Sequence, residues 1–183
     1  RKTTAITLPY DIPAGYTPVV VTRTGGPDAP GNLLRRVRVT GPRTLTVEGP
    51  DAHGRKLFIG IPYESSYTFS TFAIREGDSK GNAVTTGRLQ LRRLTLNCSN
   101  TGFLHMHVTP KFRPTSTYTF TGRELGHGTN IIGAIPLYTG TINFPILSLN
   151  TQVEVKVGSD SFLPFALVNA SWEGFYNTRN ARV

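Results

Sequence analysis

Apolar residues in this chain recur in short, roughly alternating runs, each closed after a few positions by Gly, Pro, Asn or Asp. Such punctuation predicts β-strands joined by turns. Thr3 to Leu8 ends at Pro9, and the turn-rich Asp11-Ile12-Pro13-Ala14-Gly15 leads to a second strand over Tyr16 to Thr22. Pro27 and Pro30 argue against helix between Gly25 and Gly31, which reads as a loop. Leu33 to Val39, Thr44 to Glu48 and Lys56 to Gly60 follow as strands, with Gly41-Pro42 turning the chain between the first two. A short helical turn is expected at Tyr63 to Ser66. In the aromatic run Tyr67 to Phe72, Tyr67, Phe69 and Thr71 share one face, while Phe72 and Ile74 take the other. Gly77 to Asn82 forms a loop tip.

Gly87 to Asn97 is the most informative strand. Leu89 and Leu91 have one parity, whereas Leu94 and Leu96 have the other. A strict period of two cannot turn all four inward. Either a bulge near Arg92-Arg93 resets the phase, or the strand passes between two packing environments. Further strands are expected at Thr101 to Thr109, Ser116 to Thr121, Thr139 to Phe144, Thr151 to Val157 and Phe165 to Tyr176, with Pro110, Pro114, Pro136, Pro145 and Pro164 as punctuation. In the last strand Ala170, Trp172 and Gly174 share a parity, so the sole tryptophan anchors a core strand, its aromatic edge also being available to a neighbouring subunit. No extended window carries a helical apolar stripe. The fold class is therefore all-β, with antiparallel sheets forming a sandwich or a propeller-like arrangement of short strands. Residues 1–50 read as an N-terminal β segment of a larger domain, and residues 51–183 as an antiparallel β structural domain.

Composition narrows the picture. The chain has 183 residues, 38% of them hydrophobic, which is too apolar and too patterned for disorder. The one cysteine, Cys98, excludes an intrachain disulfide and a multi-thiolate metal site. No stretch reaches the roughly 18 uninterrupted apolar residues of a membrane-spanning helix, so stable membrane insertion is not expected. The opening Arg1-Lys2-Thr3-Thr4 lacks Met and a signal-peptide run, and suggests a piece of a longer chain. Twenty Lys and Arg against eleven Asp and Glu give a formal charge of +9. That charge favours an acidic partner: nucleic acid, a lipopolysaccharide surface or an acidic protein. The cations cluster at Arg35, Arg36 and Arg38 and again at Arg88, Arg92 and Arg93.

Reactive constellations are sparse. His105 and His107 project from one strand face, but His53, His127, Glu124 and Glu154 are distant candidates for completing a metal site. The pair reads as surface or interface histidines, with Leu104, Met106 and Val108 facing the core. Gly126-His127-Gly128-Thr129 lacks the Gly-Lys-Ser/Thr ending of a phosphate loop and precedes a β-like stretch. There is no Gly-x-Ser-x-Gly elbow. Cys98 reads as a small half-buried side chain, and Glu76 with Asp78 lies in a loop rather than across a cleft. Asn97-Cys98-Ser99 and Asn169-Ala170-Ser171 match the glycosylation pattern, which matters only in a eukaryotic secretory pathway. No catalytic residue, metal or cofactor is expected, and the chain reads as a non-enzyme.

Three regions carry a family resemblance: Gly60-Ile61-Pro62-Tyr63 with Tyr67-Thr68-Phe69-Ser70; Gly87-Arg88-Leu89-Gln90-Leu91-Arg92-Arg93; and Gly158-Ser159-Asp160-Ser161-Phe162-Leu163-Pro164 through Trp172-Glu173-Gly174-Phe175-Tyr176 to Arg179–Val183. In order and spacing, from roughly residue 55 to the end, the chain resembles the C-terminal part of the tail tubular protein B, or nozzle, family of short-tailed bacteriophages. The resemblance implies a structural component of the virion tail, assembled in the bacterial cytoplasm as a homo-oligomer, a hexameric ring. It implies partners in the portal-adaptor ring and the tail fibre proteins, and transient passage of DNA through the channel. Arg35, Arg36, Arg38, Arg88, Arg92, Arg93, Trp172, Arg179 and Arg182 are the expected subunit or DNA contacts. The alternative is a receptor- or glycan-binding β module, which would gather Tyr16, Tyr63, Tyr67 or Tyr138 in one exposed groove.

Overall fold

A computed structural model describes residues 3–23, 33–34, 36–48, 56–76, 81–84, 86–123, 126 and 135–178. Two compact units emerge: Arg1–Tyr63 with Leu125–Pro136, and Glu64–Glu124 with Leu137–Val183. The boundary expected between residues 50 and 51 falls at 49–55, outside the described residues, as do the loop at 25–31 and most of the tip at 77–82.

In the first unit, β1 (Thr3–Thr7), β2 (Val19–Thr22), β3 (Leu33–Leu34), β4 (Val37–Gly41), β5 (Thr44–Glu48) and β6 (Leu57–Gly60) form two three-stranded antiparallel sheets. Their strand orders are β1-β5-β4 and β3-β2-β6. Alternation along β5 turns Leu45 and Val47 inward, and they meet Val20 of the other sheet and Leu8. Ile6, Leu34, Val37, Leu57 and Ile59 close the sides, so both sheets share one core. β2 is buried on both faces, as the unbroken apolar run Val19-Val20-Val21 requires.

The second unit holds β7 (Ser65–Phe69), β8 (Gly87–Thr101), β9 (Leu104–Pro110), β10 (Ser116–Phe120), β11 (Tyr138–Leu149), β12 (Val153–Ser159) and β13 (Leu167–Thr178). One sheet runs β10-β9-β12-β7 and the other β11-β8-β13, all pairs antiparallel. Leu104, Met106 and Val108 of β9 and Val153, Val155 and Val157 of β12 face the leucines of β8 and Phe144 and Ile146 of β11. Both sheets contribute to this single core, which makes the unit a β-sandwich. The two units thus settle the fold as all-β and sandwich-like.

Of the two readings of β8, the structure shows the phase-resetting bulge. Leu89, Leu91, Leu94 and Leu96 are all buried, and Arg92 and Arg93 both face outward between them. On β13, Glu173 pairs with Arg93 and its successor Gly174 pairs with Leu91, so Arg92 is the extra residue of a bulge. Gly174 is required there: a Cβ would stand 2.5 Å from the Gln90 carbonyl oxygen.

Several expectations need correction. No helical turn forms at Tyr63 to Ser66; Ser65 and Ser66 begin β7 and pair with Ser159 and Gly158. Pro145 does not end its strand. β11 continues to Leu149, which an edge strand tolerates because proline's missing N–H need not serve a second neighbour. The expected strand over Thr101 to Thr109 is divided, since Thr101 closes β8 and Leu104 opens β9. A 3-10 turn over Asn150–Gln152 replaces the expected start of β12 at Thr151.

Candidate interaction surface

The outward face of β11-β8-β13 collects the second arginine cluster. Arg88 and Arg92 project from β8, and Arg92 lies over the Phe175 ring, 5.1 Å from its centroid. Arg93 Nη2 donates to Glu173 Oε1 at 2.8 Å. That pairing holds the Glu173 carboxyl below the usual carboxylate range and raises the Arg93 guanidinium. Beyond the bulge the face turns to uncharged hydrogen bonding. Thr141 donates to Asn97, Asn97 donates to Asn169, and Thr95 donates to Asn143. These cross-strand bonds satisfy the amides in place and fix the strand register.

In the first unit, Arg36 and Arg38 converge on Glu48 at 3.5 and 3.9 Å. Both are exposed, so the pairing neutralises charge more than it stabilises the fold. Arg35, Arg179 and Arg182 lie outside the described residues. Trp172 faces the core side of β13 opposite Leu94, edge-on to Phe72 with ring centroids 6.1 Å apart. Its structural role is therefore that of the expected core anchor.

His105 and His107 share the outer face of β9, with ring centroids 4.8 Å apart. His107 Nδ1 meets Thr117 Oγ1 at 3.0 Å, and His105 lies 3.9 Å from Glu64 and 3.8 Å from Asp160. Glu64 is itself bound to Lys156 Nζ at 2.6 Å, which holds its carboxyl below the ordinary range. Among the described residues no group of three or more His, Cys, Asp or Glu side chains is arranged to hold a metal ion. His53, His127, Glu124 and Asp78 are outside the described residues. Cys98 is buried more deeply than expected, at 3% exposure, and burial pushes its thiol pKa up. A raised pKa removes the thiolate a nucleophile needs.

Two tyrosines of the second unit pack on different partners. Tyr67 packs edge-on to Phe165, and Tyr138 packs against Phe120. Tyr16 borders a groove with Val37, Arg38 and Val39 in the first unit. Sequence reading missed one feature, the turn Pro110-Lys111-Phe112-Arg113 between β9 and β10, which lies beside the far end of β11. Its only signal was an aromatic residue flanked by cations in a predicted loop.

Antiparallel sheets closed over an apolar core in each unit define the chain as a β-sandwich module. Comparison with known proteins gives the particular family. The model of the bacteriophage nozzle protein family matches residues 1–183, and the chain belongs to that family of structural phage tail proteins. It is also 33% identical over 132 residues to tail tubular protein gp12 of Escherichia phage T7. That alignment covers 71% of this chain and 16% of the relative, so the chain spans a small part of the relative's length.

Proposed function

We propose that this chain is a rigid wall module of the tail nozzle, in which copies pack around a symmetry axis as a homo-oligomeric, hexameric ring. The family match over the whole chain carries this reading. Short strands packed in two sandwiches suit a part that bears load without changing shape. Around a closed axis every heterologous interface is satisfied and no open end remains. The ring would meet the portal-adaptor ring on one side, support fibre proteins, and continue the channel through which DNA leaves the virion. Assembly would take place in the bacterial cytoplasm. Residues 1–50 would belong to a larger β domain, which β6 (Leu57–Gly60) joins by pairing with β2, and the antiparallel structural domain would lie within residues 51–183.

The arginines suit protein contacts better than the channel wall. Free guanidinium groups facing the lumen would hold phosphates and slow transit. Arg36, Arg38 and Arg93 already have carboxylate partners, which weakens any attraction for DNA. Arg88, Arg92, Arg35, Arg179 and Arg182 are proposed as protein contacts, with Trp172 supporting its own sheet from the core. Electron microscopy of the full-length protein with its tail neighbours is the test. A closed ring is expected. A full-length protein that stays monomeric and never joins a tail would overturn the proposal, as would these arginines pointing into the lumen.

A further inference from the structure

We infer that the groove at the end of the second sandwich is a docking site for an acidic protein segment bearing an apolar side chain. The groove, about 470 Å³ in volume, lies among the start of β8, the end of β13, the end of β11 and the turn between β9 and β10. Three of its lining residues, Arg88, Lys111 and Arg113, are cationic, and none is acidic. Phe112 stands 84% exposed at the tip of the turn, with Lys111 Nζ 5.6 Å from its ring centroid. Leu147 is 56% exposed beside it.

The groove is built rather than incidental. Leu147 has φ +51, a left-handed conformation that costs a leucine free energy and that a relaxed strand would avoid. It lies where β11 spends two residues, Ile146 and Leu147, against the single Arg92 of β8. Leu147 keeps the outward parity of β11 there, between buried Ile146 and Ser148. One terminal nitrogen of Arg113 then pins this segment, donating to the Leu147 carbonyl at 3.0 Å and to Ser148 Oγ at 2.7 Å. Its other guanidinium nitrogens make no hydrogen bond to described residues, and neither does the Arg88 guanidinium. A guanidinium held in place beside exposed apolar side chains, as Arg113 is here, is how anchor positions of protein interfaces are composed.

Charge selects the occupant. A second copy of a chain with formal charge +9 brings mainly more cations. A single-stranded nucleic acid would want successive aromatic platforms, whereas this groove offers one aromatic ring beside Leu147, Leu149 and Pro110. Carboxylates on Arg88, Arg113 and Lys111, with a leucine or phenylalanine against Phe112 and Leu147, use every feature present. The contact does not depend on ring assembly, and the isolated 183-residue chain reads it directly.

The probes are fluorescein-labelled peptides that alternate Glu with Leu or Phe, and an oligo-dT of matched charge. Saturable peptide binding is expected, weakened by salt and by Phe112→Ala. The double variant Arg88→Glu/Lys111→Glu should weaken it at least about tenfold, the loss of one or two charge-assisted contacts. Arg123→Glu/Arg75→Glu, the same charge change outside the groove, should shift it less than about twofold by long-range screening alone. Trp172 fluorescence confirms that each variant is folded. No saturable peptide binding, or equal losses in both double variants, would overturn the proposal. Tighter binding of oligo-dT that is lost with Arg88 and Lys111 would also overturn it, and would make the groove a nucleic-acid site.

Discussion

Deleting Arg92 should be tolerated, and deleting Thr95 should not, although the two lie in the same strand of the same core. Removing Arg92 leaves Leu89-Gln90-Leu91-Arg93-Leu94-Thr95-Leu96, which alternates strictly with all four leucines inward. The β13 side needs no adjustment, because Glu173 and Gly174 already pair with Arg93 and Leu91 in succession. What is lost is the stacking of Arg92 on Phe175, worth about 0.5–1 kcal/mol at an exposed site, and on the β11 edge the one β8 residue opposite Ile146 and Leu147, which leaves that bulge to loop out from the sheet. Removing Thr95 makes Leu94 and Leu96 adjacent, so that one must leave the core, where they are now 1% and 0% exposed. Expelling a buried leucine costs about 1.5–3 kcal/mol, more if a cavity stays behind. The two deletions should therefore differ by about 0.5–2.5 kcal/mol, up to roughly 1 M in urea midpoint at the usual dependence on denaturant. Urea unfolding followed by Trp172 fluorescence reports on this sandwich alone, because Trp172 sits opposite Leu94 and against Phe72. Equal losses in the two deletions would refute the bulge as the device that keeps the leucines inward.

Gly174→Ala should destabilise the second unit by about 1–3 kcal/mol, since its Cβ would press on the Gln90 carbonyl and the Leu91 Cα; the same urea titration measures it. Phe72→Ala should cost about 3–5 kcal/mol and red-shift Trp172 emission, because Phe72 is 3% exposed and its ring supports the indole. Glu64 and Glu173 have folded pKa values below their unfolded ones, so their contribution is present above the ordinary carboxylate range and is lost as pH falls through the lowered values. The double variant Glu64→Gln/Glu173→Gln should flatten the acid limb of a stability-against-pH curve, and an unchanged limb would contradict the pairing. Cys98 should react with a thiol reagent only as fast as the sandwich opens, and labelling of the folded chain at the rate of a free thiol would contradict its burial.

What the sequence disclosed and what it hid follow from one distinction. Alternation is a property of a single strand, so the leucines of β8, the Leu104-Met106-Val108 face of β9 and the inward parity of Trp172 were legible without coordinates. The misjudged Pro145 depended on β11 being an edge strand, and edge position belongs to the sheet rather than to the segment. The missed groove depends on two strands disagreeing. Ile146 and Leu147 alternate normally within β11, and only their pairing against a single β8 residue forces Leu147 into the left-handed region. Neither segment carries that conflict by itself. The Lys111-Phe112-Arg113 turn looked like a solvated loop for the same reason, because Arg113 reaches 34 residues along the chain to the Leu147 carbonyl. Regular pairing therefore accounts for the core, while a mismatch between neighbouring strands accounts for the most distinctive surface. In a module whose product is shape, such mismatches are where partner-specific contacts can be introduced without disturbing the leucine layer beneath them.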